Sequence, residues 1–320
     1  KAAAEMEERV DLLLPYGCTE IRLSTFHAFG DHLVRECALS AGFSAQARVL
    51  SKAEQAVFLQ QHLFELPLGR FRPPQDPARY VEALATVFAR AKDEAVSPEQ
   101  FLAFAQRLEQ EAAGQPDDVL VRERAASMME LAQVYAASQR LLRTANVIDF
   151  GDQVLLALHL LEHHPEILEQ YRRRYHYVLV DEFQDTNFAQ FRLLQLIAPP
   201  SANITVVADD DQSIYKWRGA AISNVIKFLQ HYHQVRRIVL TQNFRSTQAI
   251  LDCAYRLIRF NDPDRLEVRE GIDKRLTAMK VQEGQSPTLA VFDTVSSEAD
   301  WVARQIQAAV ESGLRRPGDF

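Results

Sequence analysis

Residues 177–187 have the sequence Tyr-Val-Leu-Val-Asp-Glu-Phe-Gln-Asp-Thr-Asn, in which an apolar stretch typical of a buried strand ends on Asp181 and Glu182. Open α/β sheets bind ligands at the carboxyl ends of their strands, so this acid pair occupies a position expected for a site. In a nucleotide-hydrolysing enzyme the first carboxylate can hold Mg²⁺ and the second can orient or deprotonate the attacking water. The alternative is an acidic turn that caps the next helix, with Asp185 or Thr186 as the N-cap.

A second apolar stretch, residues 204–208, also ends on a polar segment. Residues 209–211 are aspartates, which are typical of a solvated turn, and the ligand pattern of a calcium loop is absent. Behind them, Tyr215, Trp217 and Arg218 supply ring faces and a guanidinium plane. Single-strand stacking platforms are built from these groups. The segment therefore predicts contacts with a nucleic-acid strand.

A third β-branched stretch, residues 237–241, continues into Gln-Asn-Phe-Arg-Ser-Thr at residues 242–247. Arg245 stands beside Phe244 at this predicted strand end. An arginine in such a position can act as a finger on a transferring phosphate. The third segment therefore adds a basic phosphate contact to the acidic residues of the first.

Together these segments resemble the UvrD/Rep family of superfamily-one DNA helicases. Phe244 stands where many members of that family have tyrosine, and Ala208 stands where they commonly have glycine. The segments that carry the resemblance occur in the family's order: residues 1–9 (end of motif Ia), 25–27 (motif Ib), 149–152 (a short acidic segment), 181–187 (Walker B), 209–220 (motif III) and 242–247 (motif IV).

The resemblance implies an ATP-dependent helicase that moves 3′ to 5′ on single-stranded DNA and unwinds duplex DNA. ATP and Mg²⁺ are its implied cofactors, and single-stranded and partly duplex DNA are its implied partners. The implied nucleotide roles are Asp181 for Mg²⁺, Glu182 for water, Gln212 for sensing the γ-phosphate, Arg245 as a finger and Phe244 beside the adenine. The implied DNA contacts are Thr25, Phe26, His27, Tyr215, Trp217 and Arg218.

Hydrophobic periodicity predicts an all-helical segment between two α/β regions. Residues 78–145 show helical periods without a strand pattern, whereas strands and helices alternate from residue 177 to residue 241. We expect an α/β fold with a RecA-like parallel-sheet motor domain, an all-helical insert and the start of a second RecA-like domain. The expected boundaries are 1–74 and 145–241 for the first motor domain, 75–144 for the insert and 242–320 for the second.

Local signals give further expectations. Ser51 with Glu54 predicts a capping box that opens a helix over residues 51–66, and Asp149 suits the N-cap of the helix that follows it. The remaining predicted elements are an amphipathic helix over 26–37, strands over 20–24 and 288–292, and a helix over 297–311.

The net charge of −7 argues against a protein that coats DNA through a generally basic surface. We therefore expect a local DNA groove in an acidic, cytoplasmic protein without a membrane segment. None of the eleven glycines is followed by lysine, so these 320 residues contain no P-loop. We expect the P-loop to precede Lys1, and we expect this segment alone to be inactive in ATP hydrolysis.

Two other classes remain open. The chain could belong to the helicase half of a helicase–nuclease, or to a non-hydrolysing DNA-binding or scaffold protein that keeps a helicase fold. Hydrolysis is favoured over the second class by four intact residues: Asp181, Glu182, Gln212 and Arg245. The sequence that flanks this segment discriminates among all three.

Overall fold

The chain divides into two compact units, Lys1–Val235 and Arg236–Phe320. Among the helices that the structure describes, none is both long and apolar enough to cross a membrane. The structure is a computed structural model, and it describes residues 2–14, 21–40, 44–213, 222–279 and 286–320.

The first unit contains helices and short parallel strands. Its helices are α1 (Ala2–Leu13), α2 (Phe26–Glu36), α3 (Lys52–Gln61), α4 (Val81–Asp93), α5 (Pro98–Ala113), α6 (Val119–Thr144), α7 (Phe150–His163), α8 (Pro165–Arg174), α9 (Phe188–Ile197) and α10 (Ile222–His231). Its strands are β1 (Arg48–Leu50), β2 (Val147–Asp149), β3 (Tyr177–Val180) and β4 (Asn203–Val206).

The strands of the first unit pair in parallel, and this pairing determines where their carboxyl ends lie. β1 pairs with β2, and β3 pairs with β4 so that Tyr177 lies opposite Asn203 and Val180 opposite Val206. Parallel strands bring their carboxyl ends to the same edge. The acidic turn after β3 therefore lies beside the acidic turn after β4.

Reciprocal capping boxes begin several helices. The Glu54 amide donates to the Ser51 hydroxyl over 3.3 Å, and Glu54 Oε2 accepts from the Ser51 amide over 2.8 Å, which confirms the predicted box. Asp149 and Asp152 form the same reciprocal pair, with both distances 3.0 Å, and this confirms Asp149 as the N-cap of α7. These caps satisfy amide groups that have no partner within the helix.

The prediction that Asp185 or Thr186 caps the helix after β3 is wrong. Residues 183–185 form a 3-10 turn, and the Thr186 hydroxyl donates to the Phe183 carbonyl over 2.7 Å. The hydroxyl is thereby used within the turn. Asn187 is the N-cap instead, and its side chain accepts from the Gln190 amide over 2.9 Å.

Two of the apolar clusters in the described part of the first unit join its helices. One lies among α3, α4 and α6, where the rings of Phe88 and Tyr135 stack 5.2 Å apart. The other lies among α2, α7, α8 and α9 and includes Leu33 and Tyr171, which are fully buried. Residues 78–146 contain helices and turns but no strand. The interpretation of this segment as an inserted accessory domain stays a prediction.

Some predicted elements are wrong or shifted. Residues 21–24 and 288–292 form no strand. Residues 237–241, which were predicted as a strand, are not one either, and the strand begins only at residue 242. The helix predicted over residues 51–66 ends at Gln61 and is followed by turns. A β-branched stretch becomes a strand only when a neighbouring strand pairs with it, and the local pattern does not supply that partner.

The second unit is described by itself. Its helices are α11 (Gln248–Ile258), α12 (Leu266–Arg269) and α13 (Val295–Glu311), the last of which confirms the helix predicted over 297–311. Its strands, β5 (Gln242–Asn243) and β6 (Thr277–Ala278), pair in parallel.

Candidate nucleotide and nucleic-acid site

The turn after β3 presents its two carboxylates to solvent. The Val207 amide donates to the Val180 carbonyl over 2.8 Å, and the Phe183 amide donates to the Val207 carbonyl over 2.9 Å. These bonds extend the contact between the two strand ends past the ladder itself. Asp181 and Glu182 lie at this edge, and both are exposed. The structure thus places the predicted acid pair at the carboxyl end of a parallel strand.

Glu182 has a strained backbone. Its φ of 49° and ψ of 42° lie in the left-handed region, which residues other than glycine rarely adopt. Such conformations cost about 1–3 kcal/mol and persist where the surrounding structure enforces them, often at functional sites. The next residue, Phe183, is fully buried, and its ring contacts the rings of Phe191 and Phe228 at centroid distances of 5.6 and 5.4 Å. This anchored ring fixes the turn that carries Glu182.

Gln184 joins the two strand ends. Its side-chain amide donates to Glu182 Oε2 over 2.5 Å, and its side-chain oxygen accepts from the Asp209 amide over 3.0 Å. Only 1% of Gln184 is exposed, whereas its partner Glu182 is exposed to solvent. No role for Gln184 was predicted from the sequence, although a glutamine two positions after a candidate catalytic acid was the available signal. The geometry makes Gln184 the physical connection between the Glu182 carboxylate and the turn after β4.

The turn after β4 carries the predicted phosphate sensor. Asp209 Oδ1 accepts from the Asp211 amide over 3.2 Å, and Asp209 Oδ2 accepts from the Gln212 side-chain amide over 2.8 Å. Gln212 is exposed at the end of a 3-10 turn. Carboxylate oxygens of Asp209, Asp210 and Asp211 lie within 4.8 Å of one another. The two turns together offer hard oxygen ligands, which suit Mg²⁺.

The predicted DNA contacts Thr25, Phe26 and His27 lie at the start of α2. The Thr25 hydroxyl accepts from the Ala28 amide over 3.2 Å and caps the helix, and Phe26 and His27 are half-buried. Burial lowers the pKa of His27, which favours the neutral form of its imidazole. The His27 ring meets the Phe150 ring edge-on at 6.0 Å. The structure therefore adds an aromatic neighbour to this predicted segment.

Phe150 is a candidate contact with single-stranded DNA that was not predicted from the sequence. It is the first residue of α7, and 52% of it is exposed although it is a large aromatic residue. It lines a cavity of about 400 Å³ together with Lys52, Arg90, Asp93 and residues of α3 and α4. An exposed ring beside basic side chains is the combination used to bind single strands. An aromatic residue directly after the Asp149 cap was the signal available in the sequence.

Glycine at position 30 makes the approach of α2 to α7 possible. A Cβ atom at Gly30 would lie 2.3 Å from the carbonyl oxygen of Gln153 in α7. The two backbones therefore pack at a distance that no larger residue permits without displacement. This close contact sets the position of His27 relative to Phe150.

The remaining predicted residues fall in two other places. Phe244 and Arg245 lie in the second unit directly after β5, and both are exposed, Phe244 by 68%. Asn243 Oδ1 accepts from the Arg245 amide over 3.0 Å and from the Ser246 amide over 2.7 Å, which shapes this turn. The predicted stacking residues Tyr215, Trp217 and Arg218 lie outside the described residues.

Comparison with known families gives matches over most of the chain. The UvrD/REP helicase N-terminal domain matches residues 1–233. The UvrD-like helicase C-terminal domain matches residues 238–316. The two matches meet near the boundary between the two structural units, Lys1–Val235 and Arg236–Phe320.

Individual relatives are similar over the same region. The ATP-dependent DNA helicase PcrA of Leuconostoc citreum is 30% identical over 324 residues, which cover 100% of this chain and 39% of the relative. PcrA of Bacillus subtilis is 35% identical over 262 residues, covering 82% of this chain and 32% of the relative. The chain thus spans less than half the length of these curated relatives.

Proposed function

The chain belongs to the UvrD/REP helicase family, and from this premise we propose that it forms part of an ATP-dependent DNA helicase. The proposed activity couples ATP hydrolysis to 3′-to-5′ movement on single-stranded DNA and to unwinding of duplex DNA. PcrA relatives are named ATP-dependent DNA helicases, which supports the reaction class. Polarity and translocation rest on the family resemblance.

One observation carries the proposal. The exposed carboxylates of Asp181 and Glu182 lie at the end of a parallel strand, and buried Gln184 connects Glu182 to the end of the next strand. A purely structural acidic turn needs neither a left-handed glutamate nor a buried amide aimed at its carboxylate. Both features hold the Glu182 carboxylate in one position, as a group that orients water requires.

Each carboxylate has a separate proposed role. Asp181 would hold Mg²⁺, and its exposed position at the strand end suits an ion that keeps several of its waters. Glu182 would orient the attacking water and accept its proton. Gln212 would contact the γ-phosphate, and its bond to Asp209 links it through Gln184 to Glu182. A change at the phosphate would thus reach the turn that precedes the predicted stacking segment.

The second unit carries two further residues with proposed nucleotide roles. We assign the role of finger to Arg245 and adenine packing to Phe244, because both are exposed on a turn whose shape Asn243 fixes. A guanidinium stabilises the charge that develops on a transferring phosphoryl group. These roles stay proposals that rest on the matching motif.

The DNA strand would follow aromatic and basic groups of the first unit. We assign Thr25, Phe26 and His27 to this path, with Phe150 as the stacking ring that the structure adds. We also assign a stacking role on DNA to Tyr215, Trp217 and Arg218, from the matching motif alone. Because the net charge is −7, binding depends on this local surface rather than on the overall field of the protein.

Glu182→Gln tests the function in a protein that carries this chain together with a P-loop. The amide keeps the shape of the side chain but cannot accept a proton, so ATP binding should persist while turnover falls by about 10²-fold or more. Glu169→Gln, on the exposed surface of α8, is the matched control and should leave turnover unchanged. Turnover and ATP affinity are measured with and without single-stranded DNA.

The outcomes separate the competing functions. Near-normal turnover in Glu182→Gln contradicts the role of Glu182. A parent protein that binds DNA but hydrolyses no ATP supports the non-hydrolysing scaffold instead. Cleavage of DNA by the parent supports the helicase–nuclease.

A further inference from the structure

The last turn of α4 contacts the caps of two other helices. Lys92 and Asp93 are consecutive, yet Lys92 reaches the capping box that begins α7 and Asp93 reaches the N-cap of α9. α9 begins directly after the turn that carries Asp181 and Glu182. One helix end thus contacts both the cap beside Phe150 and the catalytic turn.

Lys92 anchors this helix end. Its ammonium lies 2.6 Å from Asp149 Oδ2 and 2.7 Å from Asp152 Oδ1, and its side chain is fully buried. The side-chain amide of Gln55 also donates to Asp149 Oδ2 over 2.6 Å. Burial disfavours the ammonium, but the two carboxylates outweigh it and keep the pKa of Lys92 above its ordinary value. The anchor is therefore a fixed, charged contact between α4 and α7.

Asp93 contacts the catalytic turn through Asn187. Its Oδ1 accepts from the Asn187 side-chain amide over 2.7 Å, while the Asn187 side-chain oxygen caps α9 by accepting from the Gln190 amide over 2.9 Å. Both ends of one amide are therefore used, one for the cap and one for α4. On the other side, the Asn224 side-chain amide of α10 donates to the Thr186 carbonyl over 2.8 Å.

We propose that Asp93 is a positioning residue that holds the Asp181–Glu182 turn through Asn187 and couples it to the cavity beside Phe150. Asp93 itself lines that cavity together with Arg90 of the same helix. A DNA strand that enters this cavity would contact α4 at Asp93, the residue that holds the turn of Asp181 and Glu182. This coupling rests on the proposed function, whereas the mechanical contact between Asp93 and the turn does not.

The mechanical contact is tested by amide hydrogen exchange on the chain itself. Asp93→Ala removes the acceptor, Asp93→Asn keeps a side-chain oxygen for the Asn187 amide, and Asn187→Ser keeps a capping oxygen but loses the donor. Exchange is followed at Phe183, Asp185 and Thr186, whose amides are hydrogen-bonded within or beside the turn. We expect exchange on the order of 10-fold faster in Asp93→Ala and Asn187→Ser, and near-normal exchange in Asp93→Asn.

The coupling is tested in the protein that carries a P-loop. The same two disruptive variants should lower the DNA-stimulated kcat on the order of 10-fold or more, since small misplacements of catalytic groups have large effects. The KM for ATP and the thermal midpoint should change little, and Asp93→Asn should restore kcat. Glu94→Ala, an exposed neighbour at the same helix end, is the control.

Different results would contradict the positioning role of Asp93 and the proposed function. Unchanged exchange in Asp93→Ala, or equal defects in Asp93→Ala and Asp93→Asn, overturns the positioning role of Asp93. A wild-type parent without DNA-dependent ATP hydrolysis overturns the proposed function and with it the coupling, while the exchange data still decide the contact.

Discussion

Replacing Lys92 by methionine removes the ammonium that contacts the carboxylates of both Asp149 and Asp152. Methionine fills a similar volume, so the change isolates the ammonium rather than the packing of the stem. Lys92 Nζ lies 2.6 Å from Asp149 and 2.7 Å from Asp152, and these carboxylate side chains are only 6% and 5% exposed. The variant therefore leaves two buried carboxylates facing each other without a counter-charge.

The size of the effect follows from this burial. Breaking a buried ion pair by removing one partner costs about 3–5 kcal/mol, because an uncompensated charge remains inside the protein. Both carboxylates keep their capping bonds to each other's backbone, and Asp149 keeps the Gln55 amide at 2.6 Å. These bonds moderate the loss but supply no positive charge. We expect Lys92→Met to lower the free energy of unfolding by about 3 kcal/mol or more at pH 8.

The loss should depend on pH in a defined direction. Burial raises the pKa of Asp152 to about 6, while the charge of Lys92 acts against this rise. A folded-state pKa above the ordinary value means that folding favours the protonated acid, so stability falls as pH rises from about 4 through the folded pKa. Removing Lys92 moves that pKa higher still. The destabilisation should therefore be smaller at pH 5 than at pH 8.

Urea unfolding followed by circular dichroism at pH 5 and pH 8 measures both effects. Lys52→Met, at an exposed lysine at the start of α3, is the matched control and should change stability by less than about 0.5 kcal/mol. Adding Asp152→Asn to Lys92→Met should recover part of the loss by removing one of the two charges. A loss below about 1 kcal/mol at pH 8, or one that grows at acidic pH, refutes the reasoning.

Two further predictions concern the surface near α2 and α7. Phe150→Ala should weaken single-stranded DNA binding by about 1–3 kcal/mol, the range for a lost stacking contact, with little change in the thermal midpoint because the ring is 52% exposed. Phe64→Ala, at another exposed ring (78%), should leave affinity unchanged, and equal affinities in both variants contradict the stacking role. Gly30→Ala should destabilise the chain by about 1–3 kcal/mol in thermal unfolding, because its Cβ would lie 2.3 Å from the Gln153 carbonyl oxygen. An unchanged midpoint would show that the two helices separate without cost.

Features determined by neighbouring residues could be predicted from the sequence. The capping box of Ser51 and Glu54 and the cap at Asp149 involve residues three positions apart, so their chemistry is visible in a short stretch. The acid pair after β3 was predicted for the same reason, because an apolar stretch and the polar turn behind it are contiguous. Where a strand depended on a partner, as in residues 237–241, the same local evidence gave the wrong element.

The contacts around the proposed catalytic turn after β3 depend on residues far apart in the sequence. Lys92 and Asp149 are separated by 57 positions, and Asp93 and Asn187 by 94. A lysine in an amphipathic helix is ordinarily placed on the solvated face, and only the two acids that surround it in the fold favour its burial. The contact between Gln184 and Asp209 was also not predictable from a short stretch of sequence, because the two residues are 25 positions apart.

The arrangement at the end of α4 follows from helix geometry. Successive residues of a helix point about 100° apart, so adjacent side chains can reach two different neighbours that lie on either side of the helix end. Lys92 points into a fully buried cluster and is fixed there by charge, whereas Asp93 is half-buried and faces a cavity. Replacing Lys92 should therefore lower the free energy of unfolding, whereas replacing Asp93 should displace the turn that carries Asp181 and Glu182. This difference is why Lys92→Met is assayed by unfolding and Asp93→Ala by exchange and turnover.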